Sequence, residues 1–232
     1  MKPTVRSRRD VRSPRGVRSD HGFTLIEMLV AIAILAVIAV LSWRGLDQVM
    51  RGRTTITNAM EDERVMAQLF DQMRIDARQA ATDDEAGQAA VAIGGNSLQI
   101  VRGVYAQGVA PRLQVVRYRL TDNGRVVRFA SPPLDNVGEV RRALSASDNS
   151  NGWTAIPLMG GVSTFATRAY VPSIGWTMRM GDVAAQITKN DNNLKVPQLG
   201  NEPLLRAVPG IQIALGAHNL ARPITRVFLI GE

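Results

Sequence analysis

The 232-residue sequence contains no cysteine, so it has no disulfide framework, no thiolate metal cluster and no thiol nucleophile. Histidine is nearly as scarce, with only His21 and His218, which excludes a metal centre built on imidazoles. There is no Gly-x-Ser-x-Gly elbow, no phosphate loop and no nucleotide-binding glycine run. Without these, the chemistry left to the chain is that of carboxylates, hydroxyls and amides, and the expectation is a protein with no catalytic residue, no metal ligand set and no cofactor. The apolar fraction of 45% is ordinary for a globular protein and excludes disorder along the whole length.

The formal charge of +8 is unevenly placed. Residues 1–22 carry seven Lys and Arg against Asp10 and Asp20, whereas the remaining 210 residues are nearly balanced. This head repeats Val-Arg-Ser at Val5, Val11 and Val17 with no apolar period, so it cannot bury enough surface to fold and reads as disordered.

Residues 23–43, FTLIEMLVAIAILAVIAVLSW, are apolar apart from Glu27, with no Pro or Gly to interrupt a helix. Twenty-one helical residues rise roughly 31 Å, about the thickness of a bilayer's hydrocarbon core. Trp43 stands where an interfacial aromatic belongs, and Arg44 follows it. The Arg-rich head predicts a cytoplasmic N-terminus, which sends everything after Trp43 across the membrane. A cleaved secretory signal lacks support, because no small-residue Ala-x-Ala-like site occurs near residue 40. Arg8-Arg9 suggests a twin-arginine signal, but such signals carry no acid in their apolar stretch, and Glu27 lies inside this one. A plain anchor explains the length but not that carboxylate, which in hydrocarbon needs a partner or a function. A cut between Gly22 and Phe23 would create an ammonium at Phe23 for Glu27 to pair with, in its own chain or in a neighbour.

The run Gly22-Phe23-Thr24-Leu25-Ile26-Glu27 ahead of an apolar helix resembles the type IV prepilin motif. The resemblance implies cleavage after Gly22 by the membrane-embedded prepilin peptidase and N-methylation of Phe23 by the same enzyme. It also implies that Glu27 neutralises the amino terminus of an adjacent subunit during filament assembly. Many members of that family carry a much shorter leader, which predicts translation from a GTG codon for Val17 or Val11 rather than from Met1.

From residue 44 to 81 apolar residues keep a helical step: Leu46, Val49, Met50, Ile56, Met60, Met66, Leu69, Phe70, Met73, Ala77 and Ala80. Gly45 and Gly52 are weak points where such a helix can bend. Thr82 to Gly87 closes the helix, and the pattern then changes to period two. Strands are expected over 97–105, 112–120, 125–130, 162–171, 175–180, 207–215 and 224–230. Thr121-Asp122-Asn123-Gly124 marks a hairpin turn. Stretches 135–152 and 182–202 read as surface loops. The predicted class is α+β, a long N-terminal helix packed on an antiparallel β-sheet domain. Four segments are expected: leader 1–22, membrane-spanning or filament-core helix 23–43, amphipathic continuation 44–81, and a periplasmic β-rich domain 82–232.

Later segments resemble the J-type minor pseudopilin of the type II secretion system. These are Trp43-Arg44-Gly45-Leu46-Asp47-Gln48-Val49, Leu69-Phe70-Asp71-Gln72-Met73-Arg74-Ile75-Asp76, Val115-Val116-Arg117-Tyr118-Arg119-Leu120, and Arg206-Ala207-Val208-Pro209-Gly210-Ile211-Gln212-Ile213. The resemblance implies a pilin-like fold and an inner-membrane subunit that joins I-type and K-type minor pseudopilins at the tip of a periplasmic pseudopilus. That tip primes polymerisation of other pseudopilins, on an inner-membrane assembly platform, for export of folded proteins.

Three other readings remain on the sequence. Asn190-Asp191-Asn192-Asn193 offers oxygen ligands for calcium, but with a single carboxylate a solvated turn is the simpler expectation, and Asp83-Asp84-Glu85 needs only solvent at a helix end. Arg102, Arg112, Arg117, Arg119, Arg125 and Arg128 suggest a basic stripe for nucleic acid. With few aromatics beside them they read instead as the solvated face of a half-buried sheet. A minor type IV pilin of a motility or DNA-uptake pilus is the alternative function, weakened by the missing cysteine pair.

Overall fold

The computed structural model describes residues 22–194 and 206–231. The leader before Gly22, and 195–202 of the expected second loop, lie outside the described residues. The chain divides into two units, Met1–Asn58 and Ala59–Glu232, and helix α1, Leu25–Arg78, contributes to both.

In the first unit the described residues are Gly22 to Thr24 in non-helical backbone followed by the first part of α1, and all are exposed. Leu, Ile, Ala and Met lose little side-chain freedom in a helix, so the apolar run is helical without needing tertiary contacts. The helix continues through Gly45 and Gly52. Thr54 and Thr55 turn their hydroxyls back onto the carbonyls of Met50 and Arg51.

The second unit is an α+β pilin-like arrangement in which residues 65–80 pack on antiparallel sheets. One sheet has five strands in sequential order: β1 (Val91–Ile93), β2 (Ser97–Val104), β3 (Arg112–Leu120), β4 (Val126–Ala130) and β5 (Thr154–Met159). The other has the order β7-β6-β8-β9, from β6 (Val162–Val171), β7 (Gly175–Thr177), β8 (Gly210–Ala217) and β9 (Ile224–Leu229). Leu69, Phe70, Met73 and Ala77 of α1 fill a core with Ile100, Val116 and Tyr118 of the first sheet and Phe165, Ile211 and Ile213 of the second. The opposite face of the five-stranded sheet is also covered. Val101 and Val115 bury against Val140 and Ala143 of helix α3, Val137–Ser145. Both faces of β3 are therefore occupied, and four consecutive residues, Val115 to Tyr118, are buried.

Differences from the expected elements have local causes. The stretch 135–152 contains α3, whose start is fixed by the Asn136 side chain accepting from the Glu139 N–H. Val140 and Ala143, one turn apart, give it a buried side. The stretch 182–202 begins as helix α4, Met180–Leu194, anchored by buried Val183 and Gln186. The strand expected over 175–180 accordingly stops at Thr177. The last two strands begin and end near their expected bounds, with β8 starting only after Pro209. Strands β1 and β5 went unread because one has three residues and the other is an exposed edge containing Pro157. Helix α1 ends at Arg78, and Thr82 to Gly87 forms a separate turn, α2 (Asp83–Ala86). Thr82 and Glu85 close a reciprocal capping box there, and Gly87 ends it at φ 68°. At the Thr121 to Gly124 turn only Gly124 takes positive φ (68°), the geometry of a three-residue hairpin loop.

Three of the six arginines expected on a solvated sheet face, Arg102, Arg117 and Arg128, enter two seams instead, while Arg112, Arg119 and Arg125 remain open to solvent. On the helix-facing side, Asp76 of α1 is fully buried and accepts from Arg128 Nε at 2.8 Å, Arg128 Nη2 at 3.0 Å, Arg102 Nη1 at 2.8 Å and the Tyr118 hydroxyl. Burial and the Asp76 charge together push the Tyr118 phenol far above its usual range. Burial alone would lower the Arg128 guanidinium, but its bonds to Asp76 outweigh that and hold it raised. On the other side, Arg117 donates to Gln99, to the carbonyls of Ala143, Leu144 and Ala146, and to Asp148, with its guanidinium 4.7 Å from the Trp153 ring centre. It thereby satisfies the free carbonyls at the end of α3.

Candidate processing and assembly site

Gly22 and Phe23 precede α1 in non-helical backbone, and Phe23 is 84% exposed. Among the described residues, no atom would meet a Cβ placed on Gly22. Nothing in the protein itself therefore demands glycine there, and a requirement for it belongs to whatever binds the segment.

The helix starts at the next residue by a reciprocal cap. The Thr24 hydroxyl accepts from the Glu27 N–H at 3.3 Å, while Glu27 Oε2 accepts from the Thr24 N–H at 3.0 Å and from its hydroxyl at 3.1 Å. The first turn closes with Met28 N–H donating to the Thr24 carbonyl at 3.2 Å. Two donors at the helix start are satisfied by one pair of side chains, which matters most where water is absent. Glu27 thus has a local partner that the sequence reading missed, although the Ser/Thr-x-x-Glu signature was present as Thr24-Leu25-Ile26-Glu27. Its second oxygen, Oε1, has no partner among the described residues and faces outward with the rest of the segment.

Around this cap the helix shows apolar side chains in every direction. Leu25, Ile26, Leu29, Ile32 and Leu35 are all more than half exposed, and none touches a core in this chain. The helix is long and apolar enough to cross a membrane.

A family model described as the prokaryotic N-terminal methylation motif matches residues 17–43. The motif indicates a type IV pilin-like protein. The motif marks it as a substrate of prepilin peptidase, and the long apolar N-terminal helix fits a single-pass membrane anchor. No curated protein matches the chain.

Elsewhere among the described residues, those singled out in the sequence come together in no comparable site. Among the described residues no cluster of three or more His, Asp or Glu is placed to hold a metal ion. Asn190 and Asp191 lie in α4 rather than in a loop, and Asn190 accepts from Gln186 Nε2 at 2.9 Å. Asp83 is not left to solvent: its two oxygens accept from the Ala90 and Ala207 N–H groups at 2.9 and 3.1 Å. The six arginines form no common stripe. Arg102, Arg117 and Arg128 are engaged in the two seams, Arg119 pairs with Asp148 at 2.6 Å, and Arg112 reaches Asp135 at 3.6 Å.

Proposed function

We propose that the chain is a minor pseudopilin of the type II secretion system, a J-type subunit of the pseudopilus tip that primes assembly for export of folded proteins. The observation that carries the filament reading is Glu27, a carboxylate one turn inside an otherwise apolar and unpartnered helix, four residues after Phe23. Prepilin peptidase cuts between Gly22 and Phe23 and methylates the new amine of Phe23. Thr24 holds one Glu27 oxygen, so the other is available to the amino terminus of a neighbouring subunit. Charge neutralisation in a low-dielectric surrounding then favours docking of neighbours over isolated subunits. The same apolar surface faces lipid before assembly and other helices afterwards. The basic leader stays cytoplasmic and the β-rich domain is periplasmic, in the inner membrane.

The J-type assignment is supported by the four scattered segments around Trp43, Leu69, Val115 and Arg206 and by the absence of the cysteine pair common in pilins. Its partners are then I-type and K-type minor pseudopilins, the other pseudopilins and the inner-membrane platform. The test is co-purification of the full chain, in detergent, with I-type and K-type pseudopilins from the same genome. A stable ternary complex is expected. Association with motility or DNA-uptake pilus subunits instead would make it a minor type IV pilin.

A further inference from the structure

The apolar stripe of α1 does not by itself choose one seat on the sheets. Leu69, Met73 and Ala77 follow one another at steps of four residues and are all buried, and Ala80 continues the stripe just past the helix end. Shifting the helix by one turn would exchange Met73 for Leu69 or Ala77, apolar for apolar. Methionine adapts readily to a changed cavity, and alanine projects little to obstruct the shift. Packing resists such a shift through the cavity left where alanine takes the place of methionine and through buried Phe70, but it offers no polar group that marks one seat as the right one.

Asp76 breaks this degeneracy. It lies in the same stripe, is fully buried, and accepts five hydrogen bonds from four side chains. Gln72 adds one at 3.3 Å to those from Arg102, Arg128 and Tyr118. The partners come from β2, β3 and β4, so one carboxylate ties the helix to three adjacent strands. Two guanidiniums face a single acid. A shift of one turn puts Gln72 or Ala80, and no acid, at the seat of Asp76, which leaves the buried Arg128 guanidinium without a counter-charge.

We infer that Asp76 is a positioning residue. With Arg102, Arg128 and Tyr118 it forms a register latch that selects one rotation and one axial seat of residues 59–78 on the five-stranded sheet. It thereby decides which α1 side chains face outward, among them Glu61, Arg64, Gln68, Asp71 and Arg74. The latch works by penalising alternatives. A well-packed apolar group of similar volume would hold the helix as firmly, since desolvation offsets much of the attraction within a buried ion cluster. It would not reject the neighbouring seats.

The absence of native cysteine allows a direct test in the full chain in detergent micelles. Nitroxides at Gln68→Cys on α1 and Arg141→Cys on α3 report the helix seat by pulsed electron-spin distance measurement. The native cluster is compared with Asp76→Leu/Arg102→Met/Arg128→Met/Tyr118→Phe. The expected result is one narrow distance with the native cluster. The apolar variant should melt cooperatively at or above the native temperature, yet show a broadened or doubled distance distribution. Should that variant fail to fold, Asp76→Leu/Arg128→Met is read in the same way, because Arg102, at 18% side-chain exposure, can turn to solvent. A folded variant with the native narrow distance overturns the latch, and so does failure of both variants to fold, which would place stability rather than selection in the cluster.

Discussion

Asp76 and Arg128, 52 residues apart in sequence, meet in two parallel hydrogen bonds of 2.8 and 3.0 Å inside the seam between α1 and the five-stranded sheet. Both partners are buried, so neither can exchange the other for water. Removing the acid alone strands the buried Arg128 guanidinium and takes the counter-charge from Arg102. Asp76→Ala is expected to lower stability by about 3–5 kcal/mol, the usual cost of breaking a buried pair from one side. Chemical denaturation of the full chain in detergent checks this, and a loss below 1 kcal/mol would mean that the arginines find other partners.

Tyr118 gives the protein an alkaline limit. Its pKa in the folded protein is raised above the unfolded value, so its contribution is complete below that value and is lost as pH climbs beyond it. With an unfolded tyrosine near pH 10, destabilisation should set in above about pH 10. Denaturation midpoints measured between pH 8 and pH 11 should fall at the upper end. Tyr118→Phe should be less stable at pH 8 but show a flatter dependence, and an equally steep profile would reject Tyr118 as its source.

Arg117 closes the end of α3. Its guanidinium reaches three carbonyls and Asp148 at once, which the point charge of lysine cannot reproduce. Both Arg117→Met and Arg117→Lys are predicted to destabilise by roughly 2–4 kcal/mol, since each leaves Asp148 or the carbonyls short of donors. Amide exchange should show protection lost first in α3. Full rescue by lysine would show that only the charge matters.

At the membrane end, Gly22→Leu should block processing while leaving the folded domain intact, because a Cβ at position 22 would meet none of the described residues. Mass spectrometry of the chain expressed with prepilin peptidase should find only uncleaved precursor. Glu27→Gln should be cleaved and methylated at Phe23 yet fail to enter filaments. Normal incorporation of that variant would remove Glu27 from assembly.

Thr24→Val should loosen the first turn of α1, since it deletes the hydroxyl that accepts from the Glu27 N–H and donates to its carboxylate. Faster amide exchange at Glu27 and Met28 in micelles is expected, with Thr24→Ser close to native. No change would mean that the backbone N–H of Thr24 suffices to hold Glu27.

Much of this architecture was legible because its signals are local. Twenty-one apolar residues, a lone Glu27 and a Gly22-Phe23 junction are contiguous, and the motif match falls on that same segment. The long helix and several strands also followed from period, since 112–120 alternates and Thr121 to Gly124 turns. Helix α3 escaped because it is short and α4 because it is polar and rich in asparagine, and their identity rests on the Asn136 cap in the first and on one or two buried side chains in each, which no window of composition reveals. The Thr24–Glu27 box was visible as a pattern, but the carboxylate drew attention as an unpaired charge rather than as a cap.

The sequence alone determined that a prepilin-like motif leads into an apolar helix and that an α+β domain follows. Those features depend on hydrophobic period and neighbouring residues. Only the tertiary structure decided the fate of the arginines. Whether Arg102, Arg117 and Arg128 are solvated or buried depends on Asp76 and Asp148, which lie 26 to 52 residues away and have no periodic relation to them. A second layer, α3, covers the face of the sheet that alternation assigns to water. Charge in a strand reads as exposure until an opposite charge from another element makes burial affordable.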